Sequence, residues 1–216
     1  QLRRLWRPLA RPVVRSRRSG QHTAAFLVRD NFRHRRDIER AYLERIATAQ
    51  TEIVIANAYF LPGRRFRSEL CAARRRGVRV VLLLQGRVEY FLVHHATRAL
   101  YDELIDAGVE IFEYHSGFLH AKVAVIDSQW STVGSSNIDP ISLLLAREAN
   151  IVIENDEFSG QLRASLAKVM SSGALPVTRE RWTRKGAAHR LRATAAYALV
   201  RLLTGISSYG RNVDYA

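Results

Sequence analysis

Residues 120–137, HAKVAVIDSQWSTVGSSN, hold the side chains of this chain best suited to chemistry. His120 and Lys122 stand two apart at the head of an apolar run, and residues i and i+2 of a strand share one face. Two cationic or potentially cationic groups side by side on a sheet need an anionic partner, and phosphate is the natural one. Lysine offers a compact point charge, and imidazole can attack phosphorus or shuttle a proton. The turn that follows extends the pattern: Gly134 permits a tight backbone, while Ser135 and Asn137 supply neutral donors for phosphoryl oxygens. Glu148 heads the next apolar run, EANIVIEN. A carboxylate that accepts from one ring nitrogen of a histidine fixes its tautomer and leaves the other nitrogen free to react. Phosphoryl-type transfer rests mainly on positioning and charge stabilisation, so this set calls for no cofactor. No clustered His, Cys or Asp spacing reads as a metal site.

The spacing His-x-Lys, four residues, Asp, six residues, Gly-Ser-x-Asn, at 120, 122, 127, 134, 135 and 137, resembles the signature of the phospholipase D superfamily. The stretches IANAYFLPGRRF, GVRVVLLLQG, FLHAKVAVID and VGSSNIDPISLLLAREANIVI look like the C-terminal half of bacterial cardiolipin synthases. The likeness runs over roughly residues 30–170. It implies a phosphatidyl transferase that moves a phosphatidyl group onto the glycerol hydroxyl of phosphatidylglycerol. Carried over, it makes His120, Lys122, Asp127 and Glu148 the catalytic set. Lys122, Ser135 and Asn137 become the phosphodiester-binding set, and Glu148 orients a histidine. Asp127 enters as a structural member, pairing near the site without touching phosphorus.

Enzymes of this kind carry two such motifs, whose histidines divide nucleophilic attack and proton transfer. This chain has one. His22, His34, His94, His95, His115 and His189 are not followed by Lys at i+2. His94 and His95 read as residues ahead of a helix, in surface or capping roles, and His115 as a polar loop residue near the motif. The second motif is therefore expected from an N-terminal half or from a second copy pairing as a homodimer. Whether His120 forms the phosphohistidine or moves the proton stays open. Two other readings stand beside the transferase: a phospholipase D-like phosphodiesterase or nuclease acting as a homodimer, and a non-catalytic half or partner subunit.

The elements that must position these residues alternate along the chain. HRRDIERAYLERIATAQ places Ile38, Ala41, Tyr42, Ile46 and Ala49 at helical spacing. EIVIANAYF reads as a strand, RRFRSELCAARRRG as a helix closed by Gly77, and VRVVLLLQG as a strand covered on both faces. ATRALYDELIDAG is again helical; VEIFEYH, AKVAVID, WSTVGS and EANIVIEN are strands, and EFSGQLRASLAKVM a helix. The order predicts an α/β sandwich of the phospholipase D-like α/β/α kind, a mixed sheet with helices on both sides. Residues 1–22 form a basic arm or linker, 23–175 the catalytic half, and 176–216 a basic amphipathic C-terminal segment. In that last segment Leu191, Ala195, Ala198, Leu199, Leu202 and Leu203 lie on one side, bordered by His189, Arg190 and Arg192, as in an interfacial helix or a terminal helix docked on its own domain.

Composition supports an anionic partner. The formal net charge is +14, and 31 of the 34 basic residues are Arg, which suits anionic lipid headgroups or a nucleic-acid backbone. Aromatic residues are not interleaved with the arginine clusters in a stacking pattern, so nucleic acid is the less favoured partner. The apolar stretches YFLP (59–62), EYFLVHH (89–95, read as a loop) and PISLLLA (140–146) suit a lipid. The expected partners are phosphatidylglycerol, a membrane surface and the second phospholipase D-like half. The expected place is the cytoplasmic face of a bacterial cytoplasmic membrane, peripherally bound. The single Cys71 excludes an internal disulfide and reads as a small core residue. LRATAAYALVRLL, the most apolar stretch, is interrupted by arginines and falls short of a membrane span. The chain begins with Gln rather than Met, as a piece of something longer would.

Overall fold

A computed structural model describes residues 23–30, 32–184 and 186–205. The basic arm expected over 1–22 and the end of the C-terminal segment lie outside the described residues. Eight strands form one sheet: β1 (Thr23–Arg29), β2 (Glu52–Asn57), β3 (Arg79–Gln85), β4 (Glu110–Tyr114), β5 (Lys122–Ile126), β6 (Trp130–Gly134), β7 (Glu148–Glu154) and β8 (Ala174–Pro176). Their order across the sheet is β1-β7-β6-β5-β2-β3-β4-β8. Only β2, β3 and β4 run parallel to one another; every other pairing is antiparallel. The helices are α1 (Asp37–Thr48), α2 (Arg64–Arg75), α3 (Phe91–Arg98), α4 (Tyr101–Asp106), α5 (Pro140–Leu144), α6 (Asp156–Gly173), α7 (Arg179–Thr183) and α8 (Gly186–Leu203).

The central strands are apolar without interruption because both of their faces are covered. Ile53 and Ile55 of β2 point into a core with Tyr42 and Ile46 of α1, Leu70 of α2 and Leu104 of α4. Their neighbours Val54 and Ala56 point the other way, into a second core with Leu166 of α6. All four strand residues are fully buried. The period-2 alternation of a strand thus feeds two separate helix layers, and the α/β sandwich follows. The expected face of α1 and its C-cap turns inward: Ile38, Tyr42, Ile46 and Ala49 are buried and Ala41 is half-buried.

Two local readings of the sequence are corrected. EYFLVHH is not a loop: α3 starts at Phe91, so His94 and His95 lie within the helix and His95 is buried. ATRALYDELIDAG is divided between α3 and α4. A further strand that the sequence reading does not contain, β8, pairs antiparallel with β4 through Phe112–Pro176, Glu113–Leu175 and Tyr114–Ala174. The single turn of strand ALP is too short to carry a periodic signal, and its pairing is decided by β4 alone. Further on, Trp182 is almost fully buried, its Nε1 donating to Asp102 Oδ1 at 3.0 Å. α8 packs on α3.

Candidate active site

The site sits at the end of β5 where the chain enters it, in the middle of the sheet. Lys122 is the first residue of β5, and His120 lies in the extended segment leading into it. That segment is held to the end of β2 by Ala58 N–H donating to Ala121 O at 2.9 Å, and to the end of β3 by Leu119 N–H donating to Gln85 Oε1 at 2.9 Å. His120 is exposed, its ring edge-on to Tyr59 with centroids 6.3 Å apart. Lys122 is buried, and its Nζ turns back to donate to His120 O at 3.3 Å. Burial pushes the lysine pKa below its ordinary value, while the carboxylates of Glu148, Glu89 and Asp139 act in the opposite direction. Among the described residues His120 O is the one hydrogen-bond acceptor of this ammonium, which leaves donors able to meet an anion.

The turn 134–137 is locked beside it by β7. Gly134 closes β6, and a Cβ there would collide with Asn150 Oδ1 and Ala149 O, so only glycine fits. Ser135 N–H donates to Ala149 O at 2.9 Å. The Ser135 hydroxyl donates to Glu148 Oε2 and accepts from Ala149 N–H. Ser136 N–H donates to Asn150 Oδ1 at 3.3 Å, and Ile138 N–H donates to Asn57 Oδ1 at 3.2 Å. Asn137 is buried between these anchors. Asp139 then caps α5, accepting from Ile141 N–H and Ser142 N–H at 2.8 and 3.0 Å. Burial raises its pKa against those two donors.

His120, Lys122, Ser135, Asn137 and Glu148 are therefore brought together from three strands. Asp127 is not. It follows the last residue of β5, at the opposite end from Lys122 and roughly 17 Å along a strand of this length. Its carboxylate accepts from the backbone N–H groups of Gln50, Thr51 and Glu52 and from the Thr51 hydroxyl, at 2.8–3.0 Å. Burial pushes its pKa up, and these donors outweigh that and hold it below the usual carboxylate value. The expectation that it pairs near the site is corrected: Asp127 fastens the start of β2. Glu148 bonds Ser135 rather than His120 within this chain, so its expected histidine-orienting contact is absent among the described residues.

The remaining histidines are dispersed. His34 Nδ1 lies 2.6 Å from Asp37 at the start of α1, and His115 Nε2 lies 3.5 Å from Glu113. His95 and His189 meet in a ring cluster with Trp182 where α8 packs on α3. His22 lies outside the described residues. His94 lines a cleft beside the site together with Tyr59, Gln85, Glu89, Tyr90 and Arg98. At its mouth Tyr59 OH donates to Glu89 at 2.5 Å. Burial, and then the Glu89 carboxylate, raise the Tyr59 pKa.

Asn57 is a candidate site residue that spacing did not reveal. It is fully buried and directly opposite Lys122 in the β2–β5 register, so the two side chains share a face. Its Nδ2 and Asn137 Oδ1 are buried without a hydrogen-bond partner among the described residues. Buried amides without partners are uncommon and costly outside sites that receive a ligand. The available signal was a polar residue closing the otherwise apolar run EIVIAN. Asn150, which holds the turn, carried a similar signal inside EANIVIEN.

Comparison with known proteins agrees with this geometry. A family model described as "Cardiolipin synthase, PLD-like domain" matches residues 42–170. Cardiolipin synthase B of Escherichia coli K12 is 44% identical over 170 residues, 79% of this chain and 41% of the relative. Minor cardiolipin synthase ClsB of Bacillus subtilis is 33% identical over 138 residues, 64% of this chain and 35% of the relative. The chain thus spans less than half the length of these relatives. The fold is shared with Nuc of Salmonella typhimurium, a phospholipase D family member (TM-score 0.61, 18% identity, 73% of this chain and 99% of that one). It is also shared with phosphatidylserine synthase of Haemophilus influenzae (TM-score 0.64, 11% identity, 87% of this chain and 46% of that one). With the His-x-Lys strand, the Gly-Ser-x-Asn turn and the sheet that joins them in place, the chain belongs to the cardiolipin synthase family of phospholipase D-like domains.

Proposed function

We propose that this chain supplies one half of an enzyme that transfers a phosphatidyl group between two molecules of phosphatidylglycerol, giving cardiolipin and glycerol. The observation that carries this reading is the meeting of a buried, underpartnered Lys122 with the Ser135–Asn137 turn beside an exposed His120. Lys122 neutralises the phosphodiester, while Ser135 and Asn137 position its oxygens. One histidine of a pair attacks phosphorus to form a phosphohistidine, and the P–O bond to glycerol breaks. The other histidine gives its proton to the departing alkoxide, then takes one from the hydroxyl of the acceptor, whose oxygen displaces the first histidine. His120 is one of the two. Its counterpart comes from a second phospholipase D-like half, in the same polypeptide or in another copy. Work on such a substrate places the enzyme peripherally on the cytoplasmic face of a bacterial cytoplasmic membrane.

The test uses phosphatidylglycerol vesicles and the assembly that carries both motifs. Cardiolipin and free glycerol are expected in equal amounts, and His120→Ala is expected to abolish turnover with the fold intact. Hydrolysis of DNA with no lipid product would replace this reading by the nuclease. Turnover by this chain as a monodisperse monomer would remove the requirement for a second half.

A further inference from the structure

α8 is amphipathic, and it turns the less hydrophobic of its two apolar sides inward. Packed on α3, it buries Ala193, Ala196 and Val200. On its outward side Leu191, Leu199, Leu202 and Leu203 are 72, 45, 77 and 69% exposed. Four leucines at spacings of eight, three and one fall on a single stripe of a 3.6-residue helix. By helical position Arg192 lies within this stripe, between Leu199 and Leu203, and Arg190 and Arg201 lie beyond its Leu191 edge. Residues 181–205 contain five Arg and one Lys and no Asp or Glu. No helix among the described residues is long and apolar enough to cross a membrane.

We infer that the outward leucine face of α8 docks on the surface of an anionic phospholipid bilayer. The inference takes the identity of that surface from the lipid reading above. Charge decides the occupant. In a symmetric pair the same face would meet itself, bringing Arg192 and the flanking arginines of two copies together with no carboxylate on the helix to offset them. An anionic headgroup layer matches these arginines, Arg192 reaching up to it from the leucine face, and the acyl boundary beneath takes the leucines. The placement also bears on the site. α3 carries α8 on one side, and its residues Val93, His94, Thr97 and Arg98 line the cleft beside Tyr59 and His120. A docked α8 therefore fixes how that cleft faces the bilayer.

The experiment is flotation of this chain with vesicles of mixed phosphatidylglycerol and phosphatidylcholine, and with phosphatidylcholine alone. Binding is expected only to the anionic vesicles and is expected to fall with salt. The combined variant Leu191→Ser, Leu199→Ser, Leu202→Ser, Leu203→Ser is expected to partition at least tenfold more weakly with its melting temperature unchanged, since all four are exposed. Arg190→Gln and Arg192→Gln are each expected to weaken binding about fivefold. Three results would overturn the inference: no binding by the wild-type chain, binding indifferent to the leucines, or a dimer in lipid-free solution that the leucine variant converts to monomer. Turnover of phosphatidylglycerol in detergent micelles by the two-motif assembly tests the catalytic reading separately. Its loss would leave the docking result standing.

Discussion

The side-chain oxygen of Asn57 accepts the backbone N–H of Ile138 at 3.2 Å, joining β2 to the turn that binds phosphate in the proposed mechanism. Asn57 also lies opposite Lys122 in the sheet. One buried amide thus sets the distance between the cation and the neutral donors of the site. Asn57→Ala is expected to lower turnover by about 10–100-fold, because small misplacement of positioning groups is costly. It is also expected to destabilise the fold by about 1–3 kcal/mol through the unsatisfied Ile138 N–H. Steady-state kinetics and urea unfolding check both parts. Turnover within twofold of wild type would remove Asn57 from the positioning machinery.

Asp127 is expected to matter for stability and not for chemistry. Asp127→Ala loses hydrogen bonds to a charged acceptor and places alanine at a φ of 52°, a combined cost of about 3 kcal/mol. Turnover per folded molecule should stay at the wild-type value. The depressed carboxyl pKa gives the sign of the pH effect. The stabilisation is complete above the ordinary carboxylate value and disappears as pH falls through the lower, folded value. The difference in melting temperature between wild type and Asp127→Asn should therefore close on acidification.

Lys122 is expected to trade stability for binding. Its charged form is penalised by burial, so Lys122→Met should raise the melting temperature while abolishing turnover. Because the folded pKa is depressed, the penalty is full below that value. It relaxes as pH rises from there towards the ordinary lysine value. The advantage of the Met variant should accordingly shrink at alkaline pH, as thermal melts across that range will show. A melting temperature lowered by the substitution would contradict the account.

Gly134→Ala tests the seat of the turn. The added methyl meets Asn150 Oδ1 and the Ala149 carbonyl, one a buried anchor and the other backbone. Neither yields without breaking the β6–β7 pairing. A loss of about 2–4 kcal/mol is expected, with turnover falling as Ser135 and Asn137 are displaced.

Much of this protein was legible from residue order because its physics is local. A strand buried on both faces must be apolar throughout, so VVLLL announced the centre of the sheet, and EIVIAN announced a strand. A helix needs one apolar face, so Ile38, Tyr42 and Ile46 announced α1. The chemistry of His120, Lys122, Ser135 and Asn137 showed because one strand and one turn carry all four. Glu148 showed because it opens the next strand.

What only the tertiary structure decided depends on pairings across long stretches of chain. Asp127 sits within the motif in sequence, yet a five-residue strand carries it to the far end of the sheet, where three N–H groups at the start of β2 take it up. Asn57 lies far from the motif in sequence, yet the antiparallel register sets it against Lys122. EYFLVHH became a helix because α8 covers one side of it, and β8 became a strand because β4 had a free edge. Residue type and short spacing determine which groups are able to react. Register and packing determine which of them meet.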